Sequence, residues 1–400
     1  MNKKKKLLIL LLSAQCAFSA CGKDANKISP IQELPVIYLE TERSGAEPPK
    51  DTAEGDSFPK DSSGQKEDVV PADGSAAEND EKAEIQITIS AAGDVTMGNY
   101  LGQGYESSFR YTYAQGVGDS YFFENVAEIF EADDMTLVNL EGPLTLSEEP
   151  KEGQVYCISG DPGYVNILAA GSVEVVGMGN NHRLDYLEQG SADTVAALEE
   201  AGILYAYDDK YCMFEAKSIR IGVVSVNEVS QGYAVEQYIK DGIASLREQG
   251  ADLVLASCHW GIEKDYYPED YQRSLGQKCI DWGADLVIGH HPHVLQGVEE
   301  YQGKFIVYSL GNFCFGANRN PSDKDCMIFQ QTFTFVDGEK KEDQDVRVIP
   351  CLVSSVADRN DYKPTPARDE EAQRILDKIN EYSQDFHVEF DSQGRLKKGN

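Results

Sequence analysis

Three of the six histidines fall within four residues, in the stretch GHHPHVLQG from Gly289 to Gly297. Imidazole ligates Zn, Mn or Fe and also moves protons near neutral pH. Pro292 disfavours helix at the residue before it, so the sequence predicts an extended His291. Residues two apart in an extended segment share a side, which brings His291 and His293 to one locus, with His290 behind them. Other polar groups stand at comparable places, directly after apolar runs. Asp94 follows ITISAAG, Asn139 and Glu141 close MTLVNLE, and Asn180, Asn181, His182 and Asp185 lie in GNNHRLD. His259 and Glu263 belong to CHWGIEKD, and Asn312 follows FIVYSL. Carboxylate, amide oxygen and imidazole together suit a divalent cation. Asp94, Glu141, Asn181, His259, His291 and His293 are therefore the candidate metal ligands. His182, Asp185 and Glu263 are the candidate catalytic groups, His182 to stabilise charge or move a proton. Each stretch also has a plainer reading. GNNHRLD is a credible turn leading into a helix capped by Asp185, Glu141 a surface carboxylate before a Gly-Pro turn, and Asn312 a loop residue. Trp260 is expected to wall the cleft.

These residues need elements to carry them. From Ile85 onward, strand-like and helix-like patterns alternate. IQITISAAGD, MTLVNLE and VEVVGMG read as strands; YFFENVAEIFEADD, YVNILAAG and SADTVAALEEAG read as helices, the last closed by Gly202. SLREQGADLVLASCHWG and KCIDWGADLVIGHHPHV share Gly-Ala-Asp-Leu-Val and predict two helix–strand units of one sheet, each delivering histidine just past its strand. CMIFQQTFTF and QDVRVIPCLVSS predict antiparallel strands around DGEKKED, with a helix at EEAQRILDKINEYSQ. The class is α/β, and five strand ends present metal-capable side chains. In such folds ligands gather outside the carboxyl ends of strands.

The 400 residues carry 41% hydrophobic residues, enough for a sizeable core, and a formal net charge of −32. That charge repels phosphate and argues against nucleic acid as a partner, while favouring cations. MNKKKK followed by LLILLL and a small-residue context ending at Cys21 predicts an export signal of residues 1–21. The stretch from Phe18 to Cys21 resembles a bacterial lipobox, which implies lipid attachment at Cys21. Residues 22–84, rich in Glu, Asp, Ser, Pro and Gly, predict a disordered acidic linker ahead of a folded domain over 85–400. Seven cysteines remain beyond Cys21, none in a CxxC pair, and several sit in apolar runs. Buried free thiols are the expectation.

From Ile85 to Phe315 the chain resembles the CapA-type capsule-synthesis family, related to poly-γ-glutamate export and anchoring proteins. The resemblance is carried by GDVTMG, NLEGPL, NNHRLDYLEQG, CHWGIE and the long GHHPHVLQGVEEYQGKFIVYSLGNF. That family is similar to calcineurin-like metallophosphatases, which implies a layered sandwich of mixed sheets flanked by helices, with a two-metal centre. Under this resemblance Asp94 corresponds to the first-motif aspartate, Asn181 and His182 to the Asn-His motif, His259 to the isolated histidine, and His291 with His293 to the H-x-H motif. Two departures stand out. Thr96 occupies the histidine position of the first motif, and Asn139-Leu140-Glu141 replaces the second motif's Gly-Asp. One metal position has therefore lost a ligand, and the cofactor expectation is one or two divalent ions (Mn, Zn or Fe).

The resemblance implies a lipid-anchored extracytoplasmic protein of capsule or poly-γ-glutamate biogenesis or export, working through a metal-dependent hydrolase-like site, phosphoesterase-like or amide-cleaving. Its alternative is a non-catalytic anchor or carrier subunit of a membrane polymer-synthesis complex. The partners implied are integral-membrane synthesis or export proteins, a polyanionic polymer such as poly-γ-glutamate, and the membrane through the lipid anchor.

Overall fold

The computed structural model describes residues 84–341 and 345–397. The export signal, the lipobox cysteine Cys21 and the linker lie outside the described residues. Two mixed sheets face each other. In the first, parallel strands Glu84–Thr96, Met135–Leu140, Val175–Gly177 and Leu204–Ala206 adjoin in that order. The antiparallel strands Asp325–Val336 and Asp345–Leu352 extend it on the other side of Glu84–Thr96. In the second, Ile219–Asn227, Leu253–His259, Leu286–His290 and Lys304–Val307 run parallel, with antiparallel edges at Cys212–Ala216 and Val298–Tyr301.

Strand alternation explains why both faces of each sheet are apolar. Ile87, Ile89, Leu137 and Val175 of the first sheet meet Ile221, Val223, Leu255 and Ile288 of the second in one core. The opposite faces carry Val138 and Val176 on one sheet and Val224, Val254 and Val287 on the other. The first set packs under the short helix Val165–Ala170 and the helix Leu187–Ala201, the second under Val235–Glu248 and Asp270–Asp281. The result is the expected layered sandwich of mixed sheets flanked by helices.

The parallel strands share one registration device. An acidic side chain just before a strand accepts the backbone N–H of the neighbouring strand, adding a rung to the ladder. Asp134 accepts from Thr88 at 3.0 Å, Glu174 from Thr136 at 2.9 Å, Asp252 from Arg220 at 2.8 Å and Asp285 from Val254 at 2.9 Å. The repeated Gly-Ala-Asp is thus a strand-start signal. Because the starts are pinned, the ends align: Asp94 pairs with Asn139 in one sheet, and Asn227 with His259 and His259 with His290 in the other.

Sequence expectations fail at two points here. YFFENVAEIFEADD does not form one helix but a 3₁₀ turn, Asp119–Phe122, and a single α turn, Ala127–Phe130. Phe122 stacks on Phe109 at 4.4 Å, whereas Phe123 packs towards Phe130 and Phe313, and serving separate partners breaks the helix between them. Trp260 does not wall the cleft. It is fully buried in the outer core of the second sheet, donating to the Tyr308 carbonyl at 2.9 Å. The seven cysteines of the described residues are all free, six of them buried.

Asp285 combines its backbone bond with ion pairs to Arg247 and Lys340. Burial opposes its ionisation, but the Lys340 and Arg247 charges prevail and hold its carboxyl below the usual range. Asp285→Asn is expected to cost about 3 kcal/mol at pH 7, as breaking a buried pair does. A depressed folded pKa means the contribution is present above the unfolded value of about 3.9 and fades as pH falls through the folded one. Urea melts of both proteins at pH 7 and pH 3 check this: the gap should narrow in acid.

Candidate metal centre

The carboxyl ends of the two sheets open onto one locus. Glu141 lies at its middle, 1% exposed. Its Oε1 is 3.8 Å from His259 Nε2, 3.8 Å from His293 Nε2 and 3.9 Å from His182 Nε2. Neither carboxylate oxygen has a hydrogen-bond partner among the described residues. Burial pushes the Glu141 carboxyl up to about 7, against the attraction of His293. An unpaired buried carboxylate is costly, and native folds keep such groups for a purpose.

Asp94 is fully buried at the end of the first strand. Its Oδ1 accepts from Asn139 Nδ2 at 2.8 Å and stands 3.5 Å from His290 Nδ1; its Oδ2 is 3.1 Å from His293 Nδ1. Burial alone would raise its pKa, but His290 and His293 pull it well below the usual carboxylate range. A close approach of backbones sets its position. A Cβ on Gly93 would sit 1.9 Å from the Gly311 carbonyl oxygen, and the Asp94 N–H donates to that same oxygen at 3.0 Å. Asn139 links the groups further. Its Nδ2 lies 3.3 Å from His259 Nδ1, and its Oδ1 accepts from Asn180 at 3.1 Å.

The Pro292 expectation fails in mechanism. His291 has φ +94° and His293 φ +57°, so neither is extended. The two rings nevertheless converge, with centroids 5.7 Å apart, and His291 also lies 4.8 Å from His259. Positive φ at non-glycine residues is sparsely populated and persists where surrounding structure imposes it. Asn312 Oδ1 lies 2.9 Å from His293 Nδ1, and its amide donates to the His293 carbonyl at 3.2 Å. Burial alone would lower the His293 pKa, but the Glu141 and Asp94 carboxylates raise it to about 10. A proton on His293 therefore offsets part of the charge of these two carboxylates. Burial holds the other two imidazoles neutral, His259 well below its usual range and His291 at about 4.

Asn181 Oδ1 lies 2.8 Å from His259 Nε2, which brings the amide into the same cluster. Asp94, Glu141 and His293 each offer a ligand atom, all within 4.8 Å of one another. Glu141 also reaches His259, beside Asn181 and His291, so it is the group common to a second ligand set. The Glu141 oxygens and His291 Nδ1, without hydrogen-bond partners among the described residues, and Asp94 Oδ2 beside His293 fit a divalent cation in donor type and burial.

The three candidate catalytic groups occupy different places. His182 faces the cavity, its Nδ1 held 2.7 Å from Asp185 Oδ2. Asp185 does not reach the cavity: fully buried behind the ring, it also accepts from the Ile158 N–H at 2.7 Å and from Gln154. Asp185 caps no helix either, because the helix that follows begins at Leu187. Glu263 lies on the exposed rim. The cavity, about 540 Å³, is closed on its far side by Tyr100, Gln103, Phe315 and Arg319, which carried no sequence signal. His290 stays in the core behind Asp94, its Nδ1 3.5 Å from Asp94 Oδ1 and its Nε2 without a hydrogen-bond partner among the described residues.

Residues 88–317 match the model of a family described as bacterial capsule synthesis protein PGA_cap. The chain belongs to the PGA_cap family. The matched span takes in every candidate ligand together with His182 and Glu263. Among PGA_cap relatives, the Bacillus subtilis PGA biosynthesis protein CapA is 31% identical over 249 residues, covering 57% of this chain and 63% of that protein. Capsule biosynthesis protein CapA of Bacillus anthracis is 28% identical, covering 58% and 60%. A probable polyglutamine synthesis accessory protein of Mycobacterium tuberculosis is 29% identical, covering 45% and 55%. The chain thus spans under two thirds of the length of each. A hypothetical protein from Thermus thermophilus superposes over 66% of this chain and 99% of its own, with 14% identity and a TM-score of 0.40. That TM-score is too low to bear on function.

Glu141→Gln keeps the shape of the site and removes its charge. It is expected to lose bound metal while leaving the metal-free protein at least as stable as wild type above pH 7. The raised folded pKa of Glu141 means its ionisation costs stability as pH rises from its ordinary value to about 7. Metal content by mass spectrometry and melts of chelator-treated protein check both halves.

Proposed function

We propose that this PGA_cap protein is an exported, lipid-anchored component of capsule or poly-γ-glutamate biogenesis whose cavity is a metal-dependent hydrolase-like site. The carrying observation is Glu141, with two buried oxygens lacking hydrogen-bond partners and three imidazole nitrogens within 3.9 Å of one of them. The relatives' names supply the biological setting, and the basic, apolar and small-residue start ending at Cys21 supplies the anchor.

Asp94, Glu141 and His293 would hold one divalent cation, and Glu141, Asn181, His259 and His291 offer the donors for another. When bound, such an ion supplies Lewis acidity, polarising the scissile group and making water more acidic. Thr96, where the resemblance implies a histidine, is buried with its hydroxyl lacking a hydrogen-bond partner among the described residues and adds only a weak donor to the Asp94 side.

His182 supplies the proton. Asp185 fixes its Nδ1, which leaves Nε2 turned to the cavity. Burial works against the charged ring, but Asp185 and Glu141 outweigh it and raise its pKa. A protonated His182 near neutral pH suits donation from Nε2 to a leaving group. Asp185 is a positioning residue, setting ring orientation and sustaining the proton. Glu263 stands exposed at the rim of the cavity.

The full chain should be screened with Mn, Zn and Fe against phosphomonoester, phosphodiester and γ-glutamyl amide substrates. One class is expected to turn over. His182→Asn should slow it by about 10²–10⁴ with metal retained, and the His291→Ala/His293→Ala pair should lose both metal and turnover. Equal metal in wild type and that double variant would remove the site. Restoration of capsule by the double variant in a deletion strain would favour the anchor or carrier role instead.

A further inference from the structure

Lys264 and Arg319 line the cavity. Lys264 and Arg319 form no ion pair and no side-chain hydrogen bond among the described residues, although both face the cavity that holds His182 and His293. Most basic side chains nearby are committed. Lys378 pairs with Asp323 and Asp325, Lys363 with Glu124, and Arg374 with Asp325. In a chain of net charge −32, two uncommitted cations beside the candidate metal ligands need a reason.

Both are carried on backbone tied to those ligands. The Lys264 N–H donates to the Pro292 carbonyl at 2.8 Å, between His291 and His293. Arg319 closes the loop after the strand Asn312–Phe315, in which Asn312 contacts His293 and the Phe315 ring lies 5.1 Å from it. Buried Asn360 secures that loop, donating to the carbonyls of Phe315 at 2.7 Å and Asn318 at 2.9 Å, while its own N–H donates to the Arg319 carbonyl at 2.9 Å. Three acidic groups line the cavity: Glu141 belongs to the candidate metal cluster, and Asp323 is paired with Lys378. Glu263 alone remains to oppose them at the rim.

We propose that Lys264 and Arg319 are the specificity-determining residues of this cavity, receiving successive carboxylates of an anionic chain and drawing one of its linkages towards His182. The inference rests on the hydrolase-like reading above and adds what selects the substrate. It also resolves a physical difficulty, since a strongly acidic protein can take a polyanion only where its own field is locally reversed.

The test is equilibrium binding of oligo-γ-glutamate to the full chain, with a neutral γ-linked glutamine oligomer and inorganic phosphate as competitors, alongside metal content. Lys264→Gln and Arg319→Gln should each weaken oligo-γ-glutamate binding by about tenfold, as loss of one charge-assisted contact does. Metal content should match wild type, and wild-type binding should weaken as salt shortens the screening length below about 8 Å. The neutral oligomer should not compete. Wild-type affinity in both variants, or competition by the neutral oligomer, would overturn the proposal. So would competition by phosphate alone, because the class would then be a phosphate ester. A wild type that holds no metal yet shows the charge-dependent binding would sink the hydrolase reading and leave Lys264 and Arg319 as carboxylate-binding residues alone. Metal and turnover retained with charge-independent binding would do the reverse.

Discussion

Everything at this site follows from two carboxylates held away from bulk solvent. Asp94 and Glu141 are 0% and 1% exposed, and the backbone around them donates to other acceptors. Asp94 is partly compensated by Asn139 and by His293, whose raised pKa makes it a local cation. Glu141 has the charges of His293 and His182 at 3.8 and 3.9 Å but no hydrogen bond to either oxygen among the described residues. A group in that state must take up a proton or receive a positive charge from outside, and the ring of imidazole and amide donors around it favours a metal. The fold thus gives up stability at one point, and the surrounding layers must supply it.

They supply it through registration as much as burial. The apolar faces of the two sheets close on each other, and further cores form beneath the outer helices. Apolar packing alone, however, lets strands slide by a residue pair. The carboxylate before each parallel strand prevents this by accepting the N–H of the neighbouring strand. A slip at Asp134, Glu174, Asp252 or Asp285 would break that bond and move a ligand by two residues. The same four acidic groups add to the negative charge that would repel a polyanion, so the demands of architecture and of substrate entry conflict. The uncommitted Lys264 and Arg319 answer that conflict locally.

Much of this was legible in the sequence because each strand is an apolar run ending abruptly in a chemical group. That pattern points to Asp94, Glu141, Asn181, His259 and the histidine triplet, which the fold gathers at one locus, and the shared Gly-Ala-Asp-Leu-Val marks two adjacent parallel strands. What stayed hidden has common physical causes. His291 and His293 converge through left-handed backbone that only tertiary contacts impose, so local Pro292 chemistry gave the right neighbours for the wrong reason. Asp185 carries no sign in sequence that it lies behind His182 and not in the cavity. Trp260 went the other way, its ring taken into a core by the Tyr308 carbonyl. The far wall of the cavity, with Tyr100, Phe315 and Arg319, is assembled from loops without periodicity.

The account stands on a cation at Glu141. Anomalous diffraction from crystals of the folded protein grown with Mn, recorded on either side of the metal edge, tests it most directly. A peak within coordination distance of a Glu141 carboxylate oxygen, shared with Asp94 and His293, is the result predicted. An ordered, metal-saturated crystal with no peak there, and the Glu141 oxygens bonded to water or to a rearranged side chain, would contradict it.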